Sequence, residues 1–324
     1  LDVDGNLIHN TKTNNGTIVN KPAPSTSFAS SSITAIYGDS ITNAFTTDSN
    51  GTKTFSSSNT SSATINSSNG SVIIVAVGNT TMSVNLAETN EYASANDNYT
   101  LTTNPKTLTA TASASNKVYD GLTTATTTLT FSGLIGSETL GQTVGSTFNN
   151  KNVGTGKTVT VNSIALADGT NGGLAGNYSI SPGQTTTANI TAKALTVSGL
   201  TASNKTYDST TSATLVSSSV SYSGLITGDV FIGSYTGVFA NANVGTGKTI
   251  NITSSYSGAD AGNYSVTDQS TTTANITAKV LTATASASNK TYDGGTTAST
   301  TLTFTGLVGS ETLGPTVGST FDNK

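Results

Sequence analysis

Hydrophobic residues along this chain mostly come singly, spaced by hydroxyl and amide side chains. In TMSVNL, Met82, Val84 and Leu86 alternate with polar neighbours, the period-two signature of a strand with one buried face. TVTV at 158–161 and TINIT at 249–253 alternate polar with β-branched residues in the same way. The longest apolar run, VIIVAV at 72–77, is far too short to span a bilayer, so no membrane insertion is expected of this segment. With the TMSVNLA that follows, it predicts a strand pair, the clearest one in residues 33–105. Pro105 marks the exit from that region.

The pattern then repeats. KTLTATASASNKVYDG at 106–121 returns as KALTVSGLTASNKTYDS at 193–209 and as KVLTATASASNKTYDG at 279–294. NVGTGKT stands at 152–158 and 243–249, AGNYS at 175–179 and 261–265, and TTTANITAK at 185–193 and 271–279. Leu108 to Leu195 is 87 residues and Leu195 to Leu281 is 86. Self-similarity at a fixed period marks an array of like units. The expected organisation is a tail and linker at 1–32, a β-sandwich at 33–105, full repeats at 106–193 and 194–279, and a truncated third repeat at 280–324. Within the tail, LDVDGNLIH reads as a strand pair around an Asp-Gly turn, and NKPAPSTSFASSS at 20–32 as linker. Residues 301–324 match 128–151 except at 132/305, 135/308, 142/315 and 149/322. Half a sandwich leaves strand edges unpaired. The expectation is an excerpt of a longer array, or a chain whose missing strands come from another copy.

In SNK-x-YD, the tyrosines Tyr119, Tyr207 and Tyr292 are expected to bury their rings as core anchors with the hydroxyl bonded. Asp120, Asp208 and Asp293 are expected to bond backbone N–H groups in a turn. Gly121 and Gly294 follow two of these aspartates, and Ser209 the third; the serine implies that positive φ is not obligatory there. In GADAGNYSV at 258–266, Asp260, Gly262 and Tyr264 fit the corner of immunoglobulin-type sandwiches, whose tyrosine bonds back to the backbone. The other copy keeps Gly176 and Tyr178 but has Leu174 for the aspartate. The fold class expected is all-β: tandem Ig-like β-sandwich domains in a linear array, with β-grasp-like repeat units as the alternative. The last strand of each copy runs directly into the next, which predicts stiff joints.

Composition narrows the function. The chain has no Cys, no Trp, a single histidine at His9, and no Arg among its 13 basic residues. Without cysteine there is no disulfide framework and no thiol catalysis. A net charge of −4 lacks the cationic footprint that nucleic acid needs. NVGTGK lacks the phosphate-loop spacing and precedes a strand rather than a helix.

The recurring KVYDG, KTYDS and KTYDG, with NVGTGKT, AGNYS and ANITAKALT, resemble the YDG-type repeats of large bacterial surface adhesins of the haemagglutinin-like kind. The resemblance covers about residues 106–324. Residues 33–105, with YGDSI, SSATIN and YTLTTNPK, resemble the bacterial Ig-like modules found beside such repeats. It implies an extracellular, cell-surface location, a structural stalk or filament role that presents a binding tip, and no catalytic residues. Ser209, five extra residues between Lys157 and Asn177, and the truncated last copy depart from the pattern.

The other readings weighed are direct binding of host or environmental glycans, and a polymer subunit joined by strand complementation. The partners expected are neighbouring repeats of the same or an identical chain. Enzyme activity is not expected, since no carboxylate pair is singled out. No cofactor is expected. Ca²⁺ is the one ion considered, at Asp2, Asp4 and Asn6, where Gly5 falls at loop position four instead of six. A self-made crosslink would use Lys117, Asn177 and Asp120, or Lys205, Asn263 and Asp208.

Overall fold

A computed structural model describes residues 10–12 and 18–323 of the chain. Asp2, Asp4, Asn6, His9 and the turn in LDVDGNLIH lie outside the described residues. The described chain is all-β, built of tandem β-sandwich modules. Two three-residue 3₁₀ turns, Ala175–Asn177 and Ala261–Asn263, are its helical pieces. A β-grasp unit needs a helix against its sheet, and among the described residues there is none, so that alternative is set aside.

In the first module, Ser32–Ile36, Ala95–Asn104, Gly78–Leu86 and Lys53–Ser57 form one sheet in that order. Met82, Val84 and Leu86 are buried as the alternation predicts, and Tyr99 and Leu101 meet them from the neighbouring strand. VIIVAV and TMSVNLA do not pair with each other. Val72–Ile74 pairs with Ala63–Ile65, whereas Gly78–Leu86 joins the large sheet. Gly78, at φ 150°, turns the chain between the two ladders, and a side chain there would strike Ser62 Oγ. The segment 20–32 is more than a linker. Thr26–Phe28 pairs with Phe45–Thr47, and the Phe28 ring packs edge-on against Tyr99 at 4.8 Å.

The second full repeat has a five-stranded sheet ordered Lys205–Thr206, Thr271–Thr277, Gly245–Ser257, Ile232–Phe239 and Ser212–Ala213. The repeat also holds a three-stranded sheet of Ser221–Ser223, Lys193–Ser198 and Tyr264–Thr267, the last two parallel. Phe239, Ile250, Ala274 and Ile276 fill its core. The first full repeat buries Val159 and Val161 of TVTV on the same plan.

The described residues pack as two compact units. One takes residues up to 115 with 123–149 and 156–188; the other takes 116–122, 150–155 and 189 onward. The loops 116–122 and 150–155, which carry YDG and KNVG, therefore pack with the repeat that follows them.

Candidate functional site: the joints between modules

The aspartate of SNK-x-YD does what its turn requires. Asp120 Oδ1 accepts the Leu122 N–H at 2.9 Å and the Lys117 ammonium at 2.7 Å. Asp208 accepts the Thr210 N–H and Lys205, and Asp293 accepts the Gly295 N–H and Lys290. The Lys205 ammonium first, and then the Thr210 N–H, pull the Asp208 carboxyl down to about 2. The reading that positive φ is dispensable after this aspartate is corrected. Ser209 has φ 61°, beside 78° at Gly121 and 79° at Gly294. The backbone shape is kept and the serine is held in a left-handed conformation that costs an L residue energy.

The tyrosine differs from the expectation more deeply. Tyr119 is buried to 1% exposure, but not in its own repeat. Its ring meets Tyr264 of the following repeat edge-on at 5.6 Å, and its hydroxyl donates to Asp229 Oδ2 at 2.9 Å. Tyr264 donates to the same oxygen at 2.5 Å and accepts the Ile226 N–H at 3.0 Å. Lys151, from the KNVG loop, reaches Asp229 at 3.3 Å and Asp260 at 2.9 Å. Asp260 also accepts the Val230 N–H. A second bond closes the joint: Val153 N–H donates to Asn263 Oδ1 at 2.9 Å.

The joint between the first module and the first repeat uses the same parts. Tyr37 meets Tyr178 edge-on at 5.4 Å. Tyr37 donates to Glu138 Oε1 at 2.7 Å and Tyr178 to Glu138 Oε2 at 2.5 Å. Tyr178 accepts the Ile135 N–H at 3.0 Å, and Val77 N–H donates to Asn177 Oδ1 at 2.9 Å. A third copy is begun. The Tyr207 hydroxyl donates to Glu311, while Tyr292, the last YDG tyrosine, is 79% exposed.

The corner tyrosines thus bond to backbone, as expected, but 43 and 38 residues upstream, and each shares a carboxylate with the preceding module's tyrosine. Burial first, then the bonded carboxylate, pushes the Tyr178 and Tyr264 phenols up to about 12. Asp260 is held below the usual carboxylate range by the Lys151 ammonium, and Lys151 is raised in turn, chiefly by Asp260.

The crosslink reading is corrected. Lys205 bonds Thr210 O and Ser212 O beside Asp208, whereas Asn263 is occupied by Val153 and Asn152. Lys117 likewise holds Asp120 and Leu122 O, and Asn177 holds the Val77 N–H. Among the described residues no three His, Cys, Asp or Glu side chains cluster as a metal site. No helix among them is long and apolar enough to cross a membrane. Sequence reasoning missed Tyr37, Glu138, Asp229 and Lys151. The signal for Tyr37 was present: YGDS at 37–40 has the outline of the YDG triplet.

Among solved structures, three domains of Drosophila N-cadherin (EC1-3) share 11% identity over 70% of this chain and 89% of that one, with a TM-score of 0.23. Domains 4–9 of the surface layer protein SbsC share 15% over 88% of this chain and 46% of that one, with a TM-score of 0.17. Comparison with curated proteins finds no match. The YDG domain matches residues 104–188 and again 191–274, together just over half the chain. Those two matches begin just before KTLTATASASNKVYDG and KALTVSGLTASNKTYDS, and the chain belongs to the YDG domain family.

Proposed function

We propose that this chain is a spacer segment of a bacterial cell-surface adhesin, extracellular and without enzymatic activity, that holds a binding tip away from the cell. The observation that carries the reading is the joint. Two successive joints are each closed by a buried tyrosine pair on one carboxylate and by an Asn–backbone bond. A spacer has to resist bending at every junction, and a joint packed like a core does so where an open linker does not. The stability of such an array is a sum of module terms and neighbour terms, and the joints are the neighbour terms.

Small-angle scattering of the wild-type chain and of Tyr119→Ala tests the reading, with a panel of glycans screened in parallel. A spacer gives one sharp interdomain distance distribution that broadens in the variant, and no specific glycan signal from the repeats. An equally broad distribution in both proteins contradicts it.

Glycan binding is the second reading, and one feature favours it. Tyr222, Phe231, Tyr235 and Tyr256 of the second repeat form a half-buried aromatic cluster, with Phe231 and Tyr256 stacked at 5.1 Å. Saturable glycan binding lost in Tyr256→Ala would move the function there.

A further inference from the structure

The first module holds a cavity of about 440 Å³, within the range of about 300–1,000 Å³ usual for small-ligand sites. It lies beside Lys53–Ser57, the last strand of the large sheet. Ile41, Phe45 and Phe55 supply its apolar lining, with the two rings edge-on at 6.3 Å.

Both walls are held in place by their own bonds. On one side, Asn43 Oδ1 accepts the Ser30 N–H at 3.0 Å and Asn43 Nδ2 donates to Ser30 O at 2.8 Å. The other side is a turn closed on itself. Asn66 Oδ1 accepts the N–H groups of Ser68 and Asn69, and Asn69 Oδ1 accepts the Ser71 N–H. The Asn66 N–H returns to Ser71 O at 2.8 Å. Gly70, at φ 72°, lies against the Phe55 ring, and a side chain there would come within 3.1 Å of it.

Within this rigid frame several polar groups are unspent. The hydroxyls of Thr42, Ser68 and Ser71, and Asn69 Nδ2, make no hydrogen bond among the described residues, although all four residues line the cavity. Lys53 forms no ion pair among them, and its ammonium stands 5.7 Å over the Phe45 ring. No carboxylate lines the cavity.

Spare amide and hydroxyl groups beside aromatic rings suit a ligand that has hydroxyls and a C–H face. A cation without a counter-charge adds a carboxylate to that description. We propose that this cavity binds a carboxylate-bearing sugar unit of a glycan, of the uronic or sialic acid kind. Lys53 takes the carboxylate, Asn69 and the hydroxyls take the sugar hydroxyls, and the apolar lining takes the C–H face. An acidic peptide is the weaker fit, because the sheet edge it would join is taken: the Phe55 N–H donates to Ser67 O at 3.0 Å. The spacer reading concerns the joints, and this inference does not rest on it. It is separate too from glycan binding at Tyr256, which lies in another module.

The test is titration calorimetry of the full chain with sialyllactose, with a glucuronate oligosaccharide, and with neutral lactose. One-to-one saturable binding of an acidic sugar is expected, and which of the two binds names the source. Lactose binds roughly 10-fold more weakly, the worth of one hydrogen bond to a charged group. Lys53→Gln removes that preference, and raised salt weakens the acidic ligand alone. Thr42→Trp, a bulky side chain at a lining position, abolishes binding, whereas Tyr256→Ala leaves it unchanged. Unchanged unfolding midpoints of the first module show that the Lys53 and Thr42 variants fold. No binding at millimolar acidic sugar, equal affinity for lactose, or binding that survives Thr42→Trp overturns the proposal. So does loss of binding in Tyr256→Ala, which would place the site in the second repeat, or a glutamate-rich peptide that binds as tightly as the sugar.

Discussion

The two complete joints share a frame and differ in charge. Both have an edge-on tyrosine pair, one carboxylate taking two phenols, and an asparagine side chain taking a valine N–H. Around that frame, Val75 of the first joint corresponds to Lys151 of the second, Ala76 to Asn152, and Leu174 to Asp260. The second joint therefore carries a Lys–Asp–Asp cluster, while Val75 and Leu174 are apolar and partly exposed. Asn152 also satisfies Asn263 Nδ2 at 3.3 Å. Asn177 Nδ2 is buried without a hydrogen-bond partner among the described residues, although the Tyr37 hydroxyl lies near it. The aromatic–carboxylate frame is what makes a joint, and the surrounding charges tune it.

The comparison breaks most severely if the frame is removed. Tyr119→Ala is expected to cost about 3 kcal/mol, the usual cost of a buried aromatic truncation. The loss falls on the second repeat, and denaturant unfolding followed by segment-resolved exchange reads it. Filling the unmet bond sharpens the comparison. Ala76→Asn places at the first joint the amide that Asn152 supplies at the second, and should stabilise it by about 1 kcal/mol; a raised unfolding midpoint checks this.

The charged part responds to salt and pH. Lys151→Ala lowers the midpoint of the second repeat, and Lys151→Val with Asp260→Leu recovers most of the loss, because the uncompensated carboxylate goes too. High salt weakens the second joint and leaves the first nearly unchanged. In alkali both joints fail. The folded Tyr178 and Tyr264 phenols titrate at about 12, above the ordinary value of 10.0. Their stabilisation is therefore complete below pH 10 and lost as pH rises from 10 to 12. Ultraviolet tyrosinate absorbance should rise together with loss of the fold in that window. The smallest effect expected is Ser209→Gly, a gain of about 0.5–1 kcal/mol from relieving a left-handed serine.

Much of this was legible in the sequence. Alternation placed Met82, Val84, Leu86, Val159 and Ile250 in the core, and recurrence placed the repeats. What alternation cannot show is the partner across a joint. Residues 301–323 nearly repeat 128–150, yet Phe148 is 3% exposed and Phe321 38%, because burial comes from strands elsewhere in the chain. Leu140–Phe148 is a strand on Gly154–Asp168, while most of 313–321 forms no strand. Pro315 contributes by replacing Gln142, whose amide bonds both polar groups of the Leu129 backbone. The same blindness made Tyr119 look like an anchor of its own repeat. Its ring is buried and its hydroxyl bonded, as a tyrosine demands, but the partners lie 110 and 145 residues further along the chain.

Amide exchange of full-length Tyr119→Ala tests the central claim most directly. If the YDG tyrosine closes the joint, protection is lost at 225–231 and 258–266 in the following repeat. It is kept at Thr109–Ala114 and Thr127–Ser132 in its own. Loss of protection in those two strands, with the following repeat unaffected, would make Tyr119 an ordinary core residue and contradict the joint.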